Sequence, residues 1–305
     1  MKKVLLTGGA GFVGSNLLKL LIKLKFNVLV IDNLSTGKSY NIPSNIDGVT
    51  FLGADITDKK SIEQSVTDYA PEAVIHLAAI HFIPYCNKYP EETFNTNVMG
   101  TRNLLDICKS ARPEIFLFAS SAAVYGISDS SAKENEAPDP TDIYGSSKLV
   151  GEDLCRLFHY ESNITTVICR IFNVYGPGET NPHVIPEIIE QFNSDKQSLE
   201  IGNTTPKRDF IHVSDLVNAI VSLLNNIKSG VDVFNVGSGT EYSVREIIDF
   251  CKEITNKNID VISTESRLRK SDRMHLLSDI DKIKRATNWK PIVTIREGLN
   301  GLISS

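Results

Sequence analysis

The chain of 305 residues has no Cys-x-x-Cys pair, and its five cysteines (Cys86, Cys108, Cys155, Cys169, Cys251) are odd in number and scattered. That pattern argues against a disulfide framework and against a thiolate zinc site; free buried thiols in a reducing compartment, and no metal, are expected. No apolar run is long enough to cross a bilayer, because Lys19, Lys23 and Lys25 interrupt the longest ones. There is no surplus of positive charge either. A formal net charge of −5 gives no broad basic field for nucleic acid or an anionic membrane, although local basic groups can still grip a small anion. The opening MKKVLLTGGAGFVGS carries too short an apolar stretch for a secretory leader and reads as a first strand, so a cytoplasmic location is expected. Internal repeats, low-complexity tracts and flexible linkers are also missing. What remains, 41% hydrophobic and 23% charged, is an ordinary globular composition long enough for one large α/β domain or two smaller ones.

The first thirty-odd residues read as strand, glycine turn, helix, strand. Val4, Leu5 and Leu6 form a buried-strand run; from Phe12 onward Phe12, Val13, Leu17, Leu18, Leu21, Ile22 and Leu24 recur at helical spacing; NVLVID is the second strand. Gly8, Gly11 and Gly14 therefore sit at the strand-to-helix joint, and Asp32 closes the second strand. Glycines alone mark any tight turn. Between a strand and a helix, with an acid about 20 residues on, they read as a dinucleotide cradle: the backbone can approach a pyrophosphate and the helix N-terminus offers free N–H groups. Asp32 would accept from a ribose diol and repel a 2′-phosphate, which favours NAD over NADP.

Further apolar runs at 49–56, 73–79, 114–121 and 165–173 alternate with helical patterns at 59–69, 91–111 and 143–162. The alternation predicts a doubly wound parallel sheet, a Rossmann fold, with ligands beyond the carboxyl ends of its strands. Asp55, Ala78, Ala79, Ser120, Ser121 and Asn173 fall there, though Asp55 equally suits a helix cap. Beyond 173 a Gly/Pro-rich loop, VYGPGETNP, leads to a helix near 182–192, a short strand SLEIG, a strand DVFNVG and a helix opening on Ser243 with Glu246 as a capping box. The expected division is 1–172 plus 207–237 for the Rossmann domain, and 173–206 plus 238–305 for a smaller, interwoven C-terminal α/β lobe.

IYGSSKL places Tyr144 and Lys148 four residues apart, on one face of a helix. By itself the pair also fits a solvated helix face. Its surroundings decide: TGGAGFVGS, IDNLSTG, HLAA, SSAAVYG, YGSSK, RIFNVYGP and RDFIHVSDL, in this order, resemble the extended short-chain dehydrogenase/reductase family, and within it nucleotide-sugar epimerases of the UDP-glucose 4-epimerase kind. The matching motifs run from residue 3 to about 217; the tail matches more loosely, through RKSD and NWKP.

The resemblance implies that Tyr144 is the acid/base for a sugar hydroxyl, that Lys148 lowers its pKa and holds the nicotinamide ribose, and that Ser121 bonds the reacting hydroxyl while Ser120 does not. It implies a cofactor site of Gly8, Gly11, Phe12, Val13, Gly14, Asp32, Asn33, Asp55, Ile56, Leu77, Ala78, Ala79 and Asn97, with Tyr144 and Lys148. On the substrate side it implies Asn173, Arg208, Arg269 and Asp272 around a nucleotide-diphospho-sugar, and Leu276 as the size gate for the sugar's C2 substituent, where some galactose-specific relatives carry a bulky aromatic. A homodimer through the helices near 91–111 and 143–162 is implied as well. Two departures stand out: Arg269-Lys270-Ser271-Asp272 replaces the usual R-P-G-D, and His81 and Pro84 are unusual after HLAA. Where dehydratases of the family carry an Asp-Glu pair, this chain has Ala122 and Ala123. The expected reaction is epimerisation at C4 through a 4-keto sugar; an NADH-dependent 4-keto-sugar reductase and a non-catalytic NAD-binding regulator are the alternatives.

Overall fold

A computed structural model describes residues 2–43, 46–179, 181–194, 198–264 and 273–304. Its strands are β1 (Lys3–Thr7), β2 (Asn27–Asp32), β3 (Val49–Gly53), β4 (Ala73–His76), β5 (Ile115–Ser121) and β6 (Thr165–Ile171), then β7 (Asn173–Tyr175), β8 (Ser198–Ile201), β9 (Lys207–His212), β10 (Val231–Val236), β11 (Glu241–Ser243) and β12 (Asp260–Ser263). The helices are α1 (Phe12–Lys23), α2 (Lys59–Tyr69), α3 (Ile83–Lys88), α4 (Pro90–Phe94), α5 (Thr101–Ala111), α6 (Ile143–Ser162), α7 (Val184–Asn193), α8 (Val213–Asn226), α9 (Val244–Thr255), α10 (Asp281–Thr287) and α11 (Ile295–Ile303).

Seven strands form one parallel sheet in the order β10-β6-β5-β4-β1-β2-β3. The order reverses between β1 and β4, and that crevice is where a doubly wound sheet binds its ligand. Helices cover both faces, so the strands are apolar on both sides. In β1, Val4 and Leu6 join the core layer of α1, α8 and α10, while Leu5 faces the layer of α2, α5 and α6. Burying these two layers is the main favourable term for this half of the molecule.

A second core holds α7, α9 and α11 around Phe192, Ile247 and Leu299. Beside it lie a three-stranded sheet, β11-β9-β7, and a two-stranded one, β12-β8. The run at 165–173 is not one strand: it breaks at Phe172, whose N–H donates to Val236 O at 3.0 Å, and the chain re-enters the small sheet as β7. The division expected at 207 falls at the first residue of β9, which pairs with β7 and β11, so the two lobes share a sheet.

Local signals explain most boundaries. The Asp142 carboxylate caps α6 by accepting from Gly145 N at 2.7 Å, and the Ser243–Glu246 capping box opens α9. The helix expected at 91–111 is α4 and α5 joined by a π-helical stretch, Asn95–Gly100. Such wide turns concentrate at functional sites, and this one carries Asn97.

Candidate active site

The glycine turn is built as a cradle. Gly8 has φ +74°, and a Cβ there would lie 2.7 Å from Ala78 N; one on Gly14 would lie 2.0 Å from Gly8 O. Only glycine lets β1, the turn and α1 approach so closely. Gly11 is the N-cap of α1 and supplies no capping side chain, so the first-turn N–H groups of Phe12, Val13 and Gly14 stay available to an anion. Asp32, buried at the end of β2, accepts from Ala10 N at 2.9 Å and Leu34 N at 2.8 Å. It ties the cradle to the sheet, and each oxygen keeps a lone pair for a ribose hydroxyl.

Asn33 donates to Asp55 Oδ2 at 2.7 Å, and Asp55 Oδ1 accepts from the N–H and hydroxyl of Thr57. Desolvation pushes the Asp55 carboxyl up, but these hydrogen bonds together hold it below its ordinary value. Asp55 does not cap the next helix; Asp58 does. Ile56 turns its side chain inward. Its side chain is buried against Gly100 in the core, so it can offer a nucleotide only backbone atoms. Asn97 is buried too: it donates to Ile80 O and Ser147 Oγ, at 2.8 and 2.9 Å, and accepts from Ile80 N. It fixes the segment carrying Leu77, Ala78 and Ala79 to α6 from behind.

Tyr144 and Lys148 lie on consecutive turns of α6, with the ammonium 5.9 Å from the phenol ring centroid. Lys148 is buried and donates to Ala119 O at 2.7 Å; desolvation lowers its pKa to about 8. Tyr144, half-buried, has its phenol pushed well above its ordinary value by desolvation; a hydrogen bond with Ser121 works the other way, and nearby Cys86 and Asp142 add to the rise. The expected lowering by Lys148 does not prevail in the protein alone. Burial wins, so the phenol keeps its proton until further positive charge arrives.

Ser120 and Ser121 point to different tasks. Ser120 is buried and donates to Glu152 Oε1 at 2.7 Å. Ser121 is only half-buried, and its hydroxyl accepts from Ala123 N at 3.1 Å. Glu152, one turn beyond Lys148, also pairs with Arg170 through two bonds of 2.9 and 2.8 Å, both residues being buried. Burial raises the Glu152 carboxyl, but the Arg170 hydrogen bond and charge, with Ser120 and Arg156, hold it low. The network clamps α6 to β5 and β6, and sequence reasoning missed it. The signal was there: Arg170 is a charge inside an otherwise apolar run, which needs a buried partner. His76 was missed as well. It bridges Thr7 and Thr101, at 2.7 and 2.9 Å, and burial lowers its pKa to about 3, so it is a neutral strut.

On the substrate side, Asn173 is exposed at the start of β7, and Arg208 lies on the adjacent β9, donating to Arg273 O at 2.7 Å. Leu276 packs on a small cluster of Ala122, Val124, Tyr125 and Phe172, directly after Ser121. Arg269 and Asp272 lie outside the described residues. Among the described residues, no group of three His, Cys, Asp or Glu could hold a metal, and no helix is long and apolar enough to cross a membrane. All five cysteines are buried and free.

With this geometry in hand, the chain can be set against known proteins. Residues 4–237 match the model of the NAD dependent epimerase/dehydratase family. The chain belongs to that family, and is an enzyme of it. The solved UDP-glucose 4-epimerase of Thermotoga maritima, a complex with UDP-glucose, superposes with a TM-score of 0.91 at 29% identity, covering 99% of this chain and 97% of that one. The Thermus thermophilus UDP-glucose 4-epimerase, a complex with NAD, gives 0.89 at 30% identity over 99% and 98%. A GDP-6-deoxy-D-mannose reductase of Pseudomonas aeruginosa is 32% identical over 77% of this chain and 80% of its own length. Cofactor class and fold agree with the sequence reading; the sugar is not decided by these likenesses.

Proposed function

We propose that this enzyme is an NAD-dependent UDP-hexose 4-epimerase that also admits 2-acetamido sugars. The observation that carries the reading is the Tyr144 phenol one helical turn from buried Lys148, whose ammonium lies 5.9 Å from the ring centroid, with Ser121 ending β5 and two alanines after it. The residues present fit the cofactor: an uncapped α1 behind a glycine cradle for the pyrophosphate, Asp32 for the adenosine ribose, and Lys148 for the nicotinamide ribose. When bound, NAD supplies the hydride acceptor and donor for C4.

The chain's own residues handle the proton. Tyr144 takes it from the C4 hydroxyl, with Ser121 bonded to the reacting oxygen, and returns it once the ketone has turned its other face. A neutral, desolvated phenol is a poor base, so Tyr144 would need added positive charge to act, which Lys148 one turn away and an oxidised nicotinamide, when bound, would supply. Elimination of water would need an acid and a base on the next two residues, and the methyl groups of Ala122 and Ala123 supply neither. On the substrate side, Arg208 with Arg269 suits the diphosphate, Asn173 the sugar end and Asp272 the uridine ribose. Exposed Met99, Val150, Leu157 and Tyr160 on the π-helical stretch and α6 suit a homodimer face.

Incubation with UDP-, GDP- and CDP-sugars, without added NADH, tests the reading by NMR and mass. An unchanged mass with inverted C4 supports it, and loss of water or CO₂ removes it. Similarity to the reductase keeps a second outcome in view: turnover of 4-keto sugars only, with stoichiometric NADH use.

A further inference from the structure

His81 and the Gly/Pro-rich segment after β7 have no part in the chemistry above, yet they meet each other across the cleft. Asn181 lies 3.1 Å from His81, its amide donating to Nε2. On the other side of the same segment, Pro177 O accepts from Asn16 Nδ2 at 3.3 Å. Asn16 sits one turn into α1, where it also donates to Phe12 O at 2.9 Å, immediately behind the pyrophosphate cradle. His81 follows Ala78, Ala79 and Ile80, and Asn97 ties Ile80 to Ser147, the neighbour of Lys148 on α6. Residues on either side of this segment are thus hydrogen-bonded behind the pyrophosphate cradle, at Asn16, and toward the nicotinamide end of the track, at His81. His183 reinforces the His81 end: its ring packs edge-on to His81, with centroids 6.1 Å apart, and leans on Phe82 at 6.2 Å, while Glu179 bonds its Nδ1.

We propose that Asn16, His81 and Asn181 are cofactor-retention residues, clasping the second lobe to the Rossmann domain across bound NAD. The inference rests on the NAD site of the proposed function. The Asn181 amide nitrogen can only donate, so the contact uses Nε2 of His81 as an unprotonated acceptor. The bond is therefore made by the neutral imidazole. The clasp suits one kind of reaction. An enzyme that takes hydride from a sugar and returns it to the same sugar fails whenever reduced cofactor escapes in between. A reductase fails when it does not escape.

Both bonds are at the surface and modest one by one, so they should act jointly on the rate of release. The test loads the whole protein with NADH and follows its fluorescence during a chase with excess NAD⁺, with no sugar present. Asn16→Ala/Asn181→Ala and His81→Ala should release NADH about tenfold faster or more. His81→Gln, which keeps an acceptor, should restore slow release. Release at the unmodified rate in the double variant would overturn the clasp and leave the proposed reaction standing. So would exchange by the unmodified protein as fast as it turns over sugar. Slow release in the unmodified protein and fast release in the variants, with no turnover of any UDP-sugar, would support the clasp and remove the reaction instead.

Discussion

The cofactor half and the substrate half of the cleft are built differently. Around the cofactor, Asp32, Asp55, Asn97 and Lys148 are bonded within the protein before any ligand arrives, most of them buried. Around the sugar, Asn173 is exposed, and Leu276 rests on a cluster of only a few side chains. Preorganised groups cost little to align when the ligand binds, and they hold proton transfer to one geometry. A loosely packed wall can change residue without disturbing that geometry. On the proposed function the chemistry belongs to the first half and the choice of sugar to the second, and a substitution should tell the two apart.

The hardest break is at the phenol. Tyr144→Phe leaves the cradle and Asp32 untouched, so NAD should bind as before while turnover falls about 10²–10⁴-fold, the usual worth of a positioned acid/base. NAD titration alongside steady-state rates checks it. Near-unchanged turnover would mean that another group takes the proton.

Next in size is the clamp beneath it. Glu152→Ala leaves Arg170 buried without its carboxylate, a loss of about 3–5 kcal/mol for a broken buried pair. Denaturant melts should show it. A variant as stable as the parent would mean that Arg170 finds water or a new partner, and the clamp would no longer account for the placement of α6.

These two residues also mark what could be read from the sequence. Tyr144 lies in a motif five residues long, and the cradle's glycines sit within seven, so local spacing was enough to place both. Glu152 and Arg170 are eighteen residues apart, Asn16 and Pro177 much further, and only the fold joins them. The strands failed where the chain changes sheets: nothing apolar or polar marks Phe172 as a corner. Asn97 was read as a support for the nucleotide-binding loops, and its bonds to Ile80 and Ser147 tie one loop to α6; Ile56, an apolar residue, has its side chain in the core, as its chemistry dictates. The looser tail motifs fall partly on Arg269 and Asp272, outside the described residues.

A milder change inverts stability and activity. Lys148→Met removes a buried ammonium whose pKa is lowered to about 8 from 10.5. Below pH 8 folded and unfolded chains both hold the proton, and folding bears the full cost of burying the charge. Between 8 and 10.5 the folded chain releases it first and the cost declines. The variant should therefore be more stable than the parent by about 1–3 kcal/mol near pH 7, less the lost bond to Ala119, with the gap closing toward pH 10.5. Turnover should collapse meanwhile. Thermal melts at pH 7 and 9.5 decide it; a gap that widens with pH would show that the burial cost is misassigned.

The smallest expected effect is the one that separates the two halves most cleanly. Leu276 packs on Ala122, Val124, Tyr125 and Phe172, beside Ser121 but outside the buried clamp and away from the glycine cradle. Leucine is shorter than an aromatic, and this site is proposed to leave room for an acetamido group at C2. Leu276→Tyr fills that room. It should lower kcat/KM for UDP-GlcNAc about tenfold or more, in line with the 1–3 kcal/mol typical of overpacking, and leave UDP-glucose within a few-fold. NAD affinity and release should not move, since none of the residues proposed for the cofactor lies in this wall. The ratio of the two sugars' kcat/KM, parent against variant, is the measurement. A variant that loses both sugars equally would place Leu276 in the positioning of C4 and join the halves; one that loses neither would move the gate elsewhere.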